Sequence, residues 1–330
     1  MTHLIIVGGG LTGLAAAWEL ENLGVDYTLI EVKPRLGGSI RTEQRAGYTL
    51  DGTAFVVEKY GAWDFLEPLG LADALRYMGR YRDGRLAVFK QGTQLLTDAL
   101  AARITHPVMK RMAVSSVGSL ETGGYGVCLE NGLLLHANGL ILTPPARHIS
   151  HMIYSLSPEA ALLLDGYTYD PIVRVHLGYL KSDMDPMIAV PDTPAHIKYV
   201  ETYDYADRVP AEHLLVRAGV RLVNSPQGNA IFPLGVPLKS PSPPNFDALI
   251  AEVKTFIPTR VEPEMTWVYY WPEADPLTRH LPEFAGVMDQ VDRLLPPNVA
   301  IAGSDYRGKR LELQVNDGRA AARRVAAAVK

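Results

Sequence analysis

The first thirty-one residues constrain the fold more than any other stretch of the chain. HLIIV (residues 3–7) is an unbroken apolar run, the pattern of a parallel strand covered on both faces. GGGLTG follows, setting Gly8, Gly10 and Gly13 in G-x-G-x-x-G spacing with Thr12 inside it. LAAAWELENLG then carries apolar residues at Leu14, Ala17, Trp18, Leu20 and Leu23, which suits a buried helix ending at Gly24. YTLIE is a second strand, closed by Glu31 twenty-three positions after Gly8. That order predicts a βαβ unit that binds a dinucleotide. Gly8 permits the tight turn, Gly10 lets the backbone approach a pyrophosphate, and Gly13 lets helix and strand pack closely. The helix start supplies amides and partial positive charge to the phosphates, while Glu31 can accept from both ribose hydroxyls.

The rest of the composition removes alternatives. The chain has 330 residues, 47% of them hydrophobic, enough for one large domain or two moderate ones. Its 36 acidic residues outnumber 32 basic ones, and no long basic stripe points to nucleic acid. Cys128 is the single cysteine, so neither an intrachain disulfide nor a thiolate metal cluster can form. His148 and His151 stand three apart without a third ligand in view, and no metal is expected. MTHLIIVGGG lacks an export segment, and no apolar run suits a membrane span. A cytoplasmic location and a small-molecule partner are the expectation, with the oligomeric state open.

Residues 31–42, EVKPRLGGSIRT, separate NAD from FAD. An NAD enzyme normally runs into a helix after its ribose acid. Here Gly37 and Gly38 let the chain fold back over the dinucleotide, and Arg35 can neutralise phosphate or ribose oxygens. The segment resembles the E-x-x-x-R-x-G-G signature of the flavin amine oxidase superfamily, which includes protoporphyrinogen oxidases, monoamine oxidases and renalases. Members often carry arginine directly after the glycine pair, where this chain has Ser39.

The resemblance implies an α/β fold: a Rossmann-type FAD-binding domain with a parallel sheet, plus a smaller antiparallel-sheet substrate domain. Residues 1–57, 92–150 and 291–330 would form the first, discontinuous domain. Residues 58–91 and 151–290 would form the second. GYTLDGTAFVV (residues 47–57) is similar to the family segment beside the flavin ring, with Gly52 and Thr53 in the matching places, although an ordinary β-turn reads the same. Val114 matches the position whose backbone meets the adenine. Near the C-terminus, VAIAGSDYRG matches the family's strand and glycine turn through Gly303, Asp305 and Gly308. Val315, Asn316 and Asp317 would precede a helix over about 317–329 whose amides point at the flavin.

Residues 151–290 read as strands of an antiparallel sheet. In YDPIVRVHLGYL, Arg174 and His176 share the face opposite Val173, Val175 and Leu177, which suits solvent or a substrate-pocket floor. Met265, Trp267, Tyr269 and Trp271 alternate onto one face, and Trp271 matches a tryptophan beside the flavin. PQGNAIFPLGVPLKSPSPP, with six prolines in nineteen residues, cannot pair continuously in a sheet. About thirty-six residues separate Phe55 from Gly92, including the helix-like GAWDFLEPLGLADAL; relatives usually carry a large helical insertion there. The resemblance therefore implies a compact oxidoreductase holding FAD without a covalent bond, passing hydride from a small substrate to flavin and electrons onward to oxygen or another acceptor. A renalase-like dihydronicotinamide oxidase, a flavin-dependent sugar mutase and a non-catalytic flavin-binding protein are the alternatives. No catalytic acid or base is readable.

Overall fold

The computed structural model describes residues 3–222, 244–276 and 284–329. Five strands form a parallel sheet in the order Val299–Ile301, Gly139–Leu142, His3–Val7, Asp26–Glu31, Val108–Lys110. Leu4, Ile5 and Ile6 in its middle strand are fully buried, because both faces are covered. One face packs on helix Leu11–Leu23 and helix Leu311–Ala328. The other packs on the antiparallel strands Val114–Ser119 and Tyr125–Leu129 and on helices Ala146–Ile153 and Pro158–Asp165.

The first and last helices fix the two ends of the chain to each other. A Cβ at Gly318 would stand 2.2 Å from the Thr12 carbonyl oxygen, so the crossing is nearly backbone to backbone. Arg319 and Arg323 then reach the buried Glu19 carboxylate at 2.7 and 2.6 Å. The terminal helix begins at Leu311, earlier than expected. Leu311, Val315, Gly318, Ala322 and Val325 are buried along one stripe, and that 3.6-residue period extends the helix beyond its alanine-rich half.

The second layer is an antiparallel sheet in the order Ile197–Tyr203, His213–Arg221, Tyr169–Leu180, Met265–Pro276. Val173, Val175, Leu177 and Tyr179 face helix Phe246–Lys254 through Val253. The opposite face carries Met265, Trp267 and Tyr269, packed with Tyr48, Leu50 and Phe55 from the region of the hairpin Thr42–Arg45 and Tyr48–Asp51. The parallel sheet and the antiparallel one are thus both present, as the α/β reading required.

Residues 61–74 depart from the helix-like reading. They form turns with hydrogen bonds from Leu66 N to Trp63 O and from Gly70 N to Glu67 O, since Pro68 interrupts any helical ladder. Leu75–Tyr81 and Gly84–Phe89 form a hairpin that also pairs with Val57–Lys59. Trp63, Phe65, Leu66, Leu69, Leu75 and Phe89 share a core with Leu4, Leu14 and Leu20. Segment 58–91, grouped on sequence with the substrate domain, therefore packs on the nucleotide-binding layer. Most of the proline-rich stretch, residues 223–243, lies outside the described residues. Among the described residues no helix is long and apolar enough to cross a membrane.

Candidate cofactor cradle and substrate cleft

The glycine turn is sterically specified. Gly8 has φ +98°, and a Cβ on Gly13 would stand 1.8 Å from the Gly8 carbonyl oxygen. Neither position accepts a side chain. Gly10 caps helix Leu11–Leu23 in extended conformation without a side-chain cap bond. The first amides of that helix, Leu11 and Thr12 among them, have no intrahelical acceptor and carry the positive end of its dipole. Glu31 is buried and accepts from Gly9 N at 2.6 Å and Lys33 N at 2.7 Å, one bond to each carboxylate oxygen. A carboxylate offers about four lone-pair sites, so acceptor capacity remains for ribose hydroxyls.

The 35–42 loop folds back onto this turn. Gly37 N donates to Gly9 O at 2.7 Å, and Gly38 at φ +59° brings its Cβ direction to 3.0 Å from Gly10 Cα. Any side chain at either glycine would fill the cradle between them. Arg35 differs from expectation. Its guanidinium donates to the carbonyls of Leu36 and Ile40 at 3.1 Å each and to Gly38 O at 2.8 Å. It positions the loop instead of reaching outward to a phosphate.

The C-terminal residues are also arranged differently. Val315, Asn316 and Asp317 lie inside helix Leu311–Ala328, with their backbone within the helical ladder, so their amides cannot head it. Val315 is core and Asn316 is exposed, while Asp317 accepts from Gly303 N at 2.8 Å and stabilises the glycine turn. Asp305 is buried and turned inward, accepting from the Tyr169 hydroxyl and from Ala146 N. It ties the turn to helix Ala146–Ile153 and does not present its carboxylate to a ligand. Gly303, at φ +145°, packs beside Thr143 O at the same strand ends as Gly8. Val114 begins its strand in the core on the opposite face of the sheet.

A second turn, Asp51–Gly52–Thr53, closes over the loop. Asp51 is buried, with the fully buried Arg208 at 2.8 Å and Thr93 N at 2.9 Å. Arg208 also donates to Thr49 O and Phe89 O. Tyr269 lies on Gly52, where a Cβ would approach its ring to 2.4 Å, and its hydroxyl donates to Ser39 O at 2.5 Å. Trp271 sits further along the same face, with Lys33 Nζ 3.8 Å from its ring centre. The aromatic beside the Gly52 turn is therefore Tyr269, and Trp271 stands nearer the strand end that carries Glu31. Counting back by two from Trp271 puts Tyr269 on the same face, a signal already present in the alternation.

Beyond Thr53 opens a cleft of about 430 Å³ lined by Thr53, Phe55, Arg174, Tyr199, Glu201 and Arg217, among others. Of the two solvent-or-pocket residues, Arg174 lines this cleft and His176 is completely buried behind it. Arg217 was not anticipated. It is 5% exposed, donates to Thr53 O at 3.1 Å, and approaches His176 Nε2 at 3.3 Å. Burial first, and then the Arg217 charge, hold His176 well below the usual imidazole range. It is a neutral ring packed behind Arg217. His176 and Glu201 both stand opposite Arg217 in the sheet, a cross-strand row that a single strand's sequence cannot show.

A dinucleotide-type parallel sheet, a glycine cradle at its strand ends and an adjoining antiparallel-sheet cleft define a flavin-dependent oxidoreductase architecture. The chain belongs to the flavin-containing amine oxidoreductase family, whose model matches residues 61–329. A model described as an NAD(P)-binding Rossmann-like domain matches residues 6–69, and the family's cofactor, FAD, is the one this cradle fits. Coproporphyrinogen III oxidase of Bacillus subtilis (strain 168) is 40% identical over 81 residues, covering 22% of this chain and 17% of the relative. Protoporphyrinogen oxidase 1, chloroplastic, of Arabidopsis thaliana is 24% identical over 159 residues, covering 47% of this chain and 28% of the relative. The matched stretches are thus well under half of those proteins. A putative protoporphyrinogen oxidase from Exiguobacterium sp. 255-15 superposes with a TM-score of 0.77 at 15% identity, over 98% of each chain. A reduced UDP-galactopyranose mutase structure gives 0.75 at 13% identity, over 99% of this chain and 96% of that one. These structural likenesses speak for the fold.

Proposed function

We propose that this chain is a FAD-dependent oxidoreductase of the protoporphyrinogen oxidase type, taking hydride from a small substrate and handing the electrons to oxygen or another acceptor. One observation carries the reading: a single turn belongs to both sites. Thr53 Oγ1 lies 3.5 Å from Ser39 O in the cofactor loop, while Thr53 O accepts from Arg217 in the cleft. A molecule in the cradle and a molecule in the cleft would meet at Thr53.

FAD, when bound, supplies the two-electron acceptor, and the chain supplies binding, orientation and tuning. Amides at the start of helix Leu11–Leu23 would hold the pyrophosphate and Glu31 the ribose, while Arg35 keeps the Gly37–Gly38 loop in shape. Tyr269 and Ser39 fix the Gly52–Thr53 turn against that loop. Attachment is non-covalent, as Cys128 lies in strand Tyr125–Leu129 on the opposite side of the parallel sheet.

The test is spectroscopic. Purified protein, reconstituted with FAD where needed, is expected to be yellow and to bleach anaerobically with at least one donor among amines, dihydronicotinamides and porphyrinogens. A colourless protein that takes up no FAD on titration overturns the reading. Persistent colour with every donor, joined to dithionite-dependent isomerisation of a sugar nucleotide, replaces it with mutase chemistry.

A further inference from the structure

We propose that Arg217 is a positioning residue for the flavin, holding the Thr53 carbonyl with one arm of its guanidinium while His176 supports the other arm. The inference rests on the oxidoreductase reading, since it concerns where a cradle-bound flavin would sit. Three neighbouring strands of the antiparallel sheet reach the Asp51–Gly52–Thr53 turn. Arg217, on His213–Arg221, donates from Nη2 to Thr53 O at 3.1 Å. His176, on Tyr169–Leu180, brings Nε2 to 3.1 Å from Asp51 O and 3.3 Å from Arg217 Nε. Tyr269, on Met265–Pro276, lies against Gly52. The sheet that walls the cleft is thereby also the support of a turn that touches the cofactor loop.

The Thr53 carbonyl alone would accept from many donors; the second contact is what calls for arginine. Nε and Nη2 belong to one planar, rigid fork, whereas a lysine ammonium is a single point on a flexible stem. Arginine keeps its protons, so His176 Nε2 accepts from Arg217 in one tautomer and donates to Asp51 O in the other. In both, the imidazole fills the corner between guanidinium and turn. It is fully buried, stands opposite Arg217 in the sheet, and packs on Trp267 with ring centroids 4.8 Å apart. Packing thus fixes His176, and His176 fixes Arg217. On its other flank Arg217 faces the exposed Glu201, with the Phe55 and Tyr199 rings 5.3 and 5.4 Å from the guanidinium. Charge balance at the cleft edge and support of Thr53 therefore fall to different neighbours. A molecule in the cleft that draws on Arg217 would be felt at Thr53, and a positive charge held there favours the more negative, reduced flavin.

The FAD-loaded protein is compared with Arg217→Gln, Arg217→Lys, His176→Gln and His176→Leu by visible flavin spectrum, FAD titration and two-electron reduction potential, with thermal melts to confirm folding. Arg217→Gln is expected to shift the flavin band and weaken FAD about tenfold, the scale of one charge-assisted hydrogen bond. Loss of the charge should weaken reduced flavin about tenfold more than oxidised, lowering the potential by about 30 mV. Arg217→Lys separates the two roles. It keeps the charge, so the potential stays near wild type, and it loses the fork, so the band shifts as in Arg217→Gln. His176→Gln, whose amide keeps a polar atom near the Nε2 position, should retain the wild-type spectrum that His176→Leu loses. A folded Arg217→Gln protein with wild-type spectrum, FAD affinity and potential overturns the proposal, as does an Arg217→Lys spectrum equal to wild type. If Arg217→Gln does not fold, the Arg217→Lys spectrum decides. Wild type that takes up no FAD would instead sink the oxidoreductase reading, so the two failures are read on different proteins.

Discussion

Two arginines flank the Gly52–Thr53 turn, and they are built in opposite ways. Arg208, on the inner side, is wholly buried, and its donors end on Thr49 O, Phe89 O and the Asp51 carboxylate. Arg217, on the outer side, has an aromatic plate and a 430 Å³ cleft in front of it. The first is a closed network whose members satisfy one another; the second keeps its charge facing a space that a ligand can enter. Burial of charge alone does not separate structural from binding residues. What separates them is whether the charge is closed in by buried partners or borders an open cleft. Asp51 answers Arg208 in a wholly buried pair, while Arg217 stands across the sheet from the exposed Glu201 at the cleft edge.

The largest way to break this contrast is Arg208→Ala. It would leave Asp51 buried without its cation, and removing one partner of a buried pair costs about 3–5 kcal/mol. Denaturant unfolding should show that loss, and the Gly52–Thr53 turn should loosen with it, weakening flavin retention. A loss below about 1 kcal/mol would mean that Asp51 is held adequately by Thr93 and Thr42, and that the closed network is not what fixes the turn.

Next in size is Gly318→Ala, which tests whether the cradle depends on the far end of the chain. The added methyl would be driven to 2.2 Å from Thr12 O, and the helices must part. Overpacking of this kind costs about 1–3 kcal/mol, read as a shift in the denaturation midpoint. Because Thr12 belongs to the glycine turn of the cradle, FAD affinity should fall with it. Unchanged FAD affinity in a destabilised variant would show that the cradle does not depend on the helix crossing.

The cradle was legible in the sequence because its demands are local. Gly8, Gly10 and Gly13 are required by the path of one short segment, and Glu31 is placed by the strand that follows. The cleft was not, because its row of His176, Arg217 and Glu201 comes from three strands distant in sequence. Arg174 and His176 share one face, but only the neighbouring strands decide whether that face meets water. Asp305 and Asp317 show the opposite failure. Their motif was visible, yet their carboxylates serve Tyr169, Ala146 and Gly303 as internal bonds, so position in a motif did not fix what the side chain does.

His176 gives a smaller effect with a definite sign. Its folded-state affinity for a proton is depressed by burial and by Arg217, with Arg174 adding to the repulsion. The unfolded chain therefore binds the proton more readily, and stability falls as pH drops below the ordinary histidine value of about 6.5. Above that value the penalty is absent. Comparing wild type with His176→Asn between pH 8 and pH 5 removes the contributions of the other histidines. The difference in unfolding midpoint should narrow as pH falls; a difference independent of pH would show that His176 takes up its proton as readily in the folded chain as in the unfolded one.

The smallest effect lies one residue away from the largest. Asp207 precedes Arg208 and turns outward, pairing with Arg76. Their side chains are 41% and 30% exposed, against 0% and 1% for Arg208 and Asp51. Consecutive residues thus present an exposed and a buried ion pair on the same loop. Solvent already satisfies the exposed partners, so Arg76→Ala should cost less than about 1 kcal/mol and leave flavin binding unchanged. Adding salt should reduce even that cost, since exposed pairs are screened, while the Arg208→Ala loss should hardly respond. If Arg76→Ala proved as damaging as Arg208→Ala, the loop itself, and not the buried network at Asp51, would be the element that fixes the Gly52–Thr53 turn.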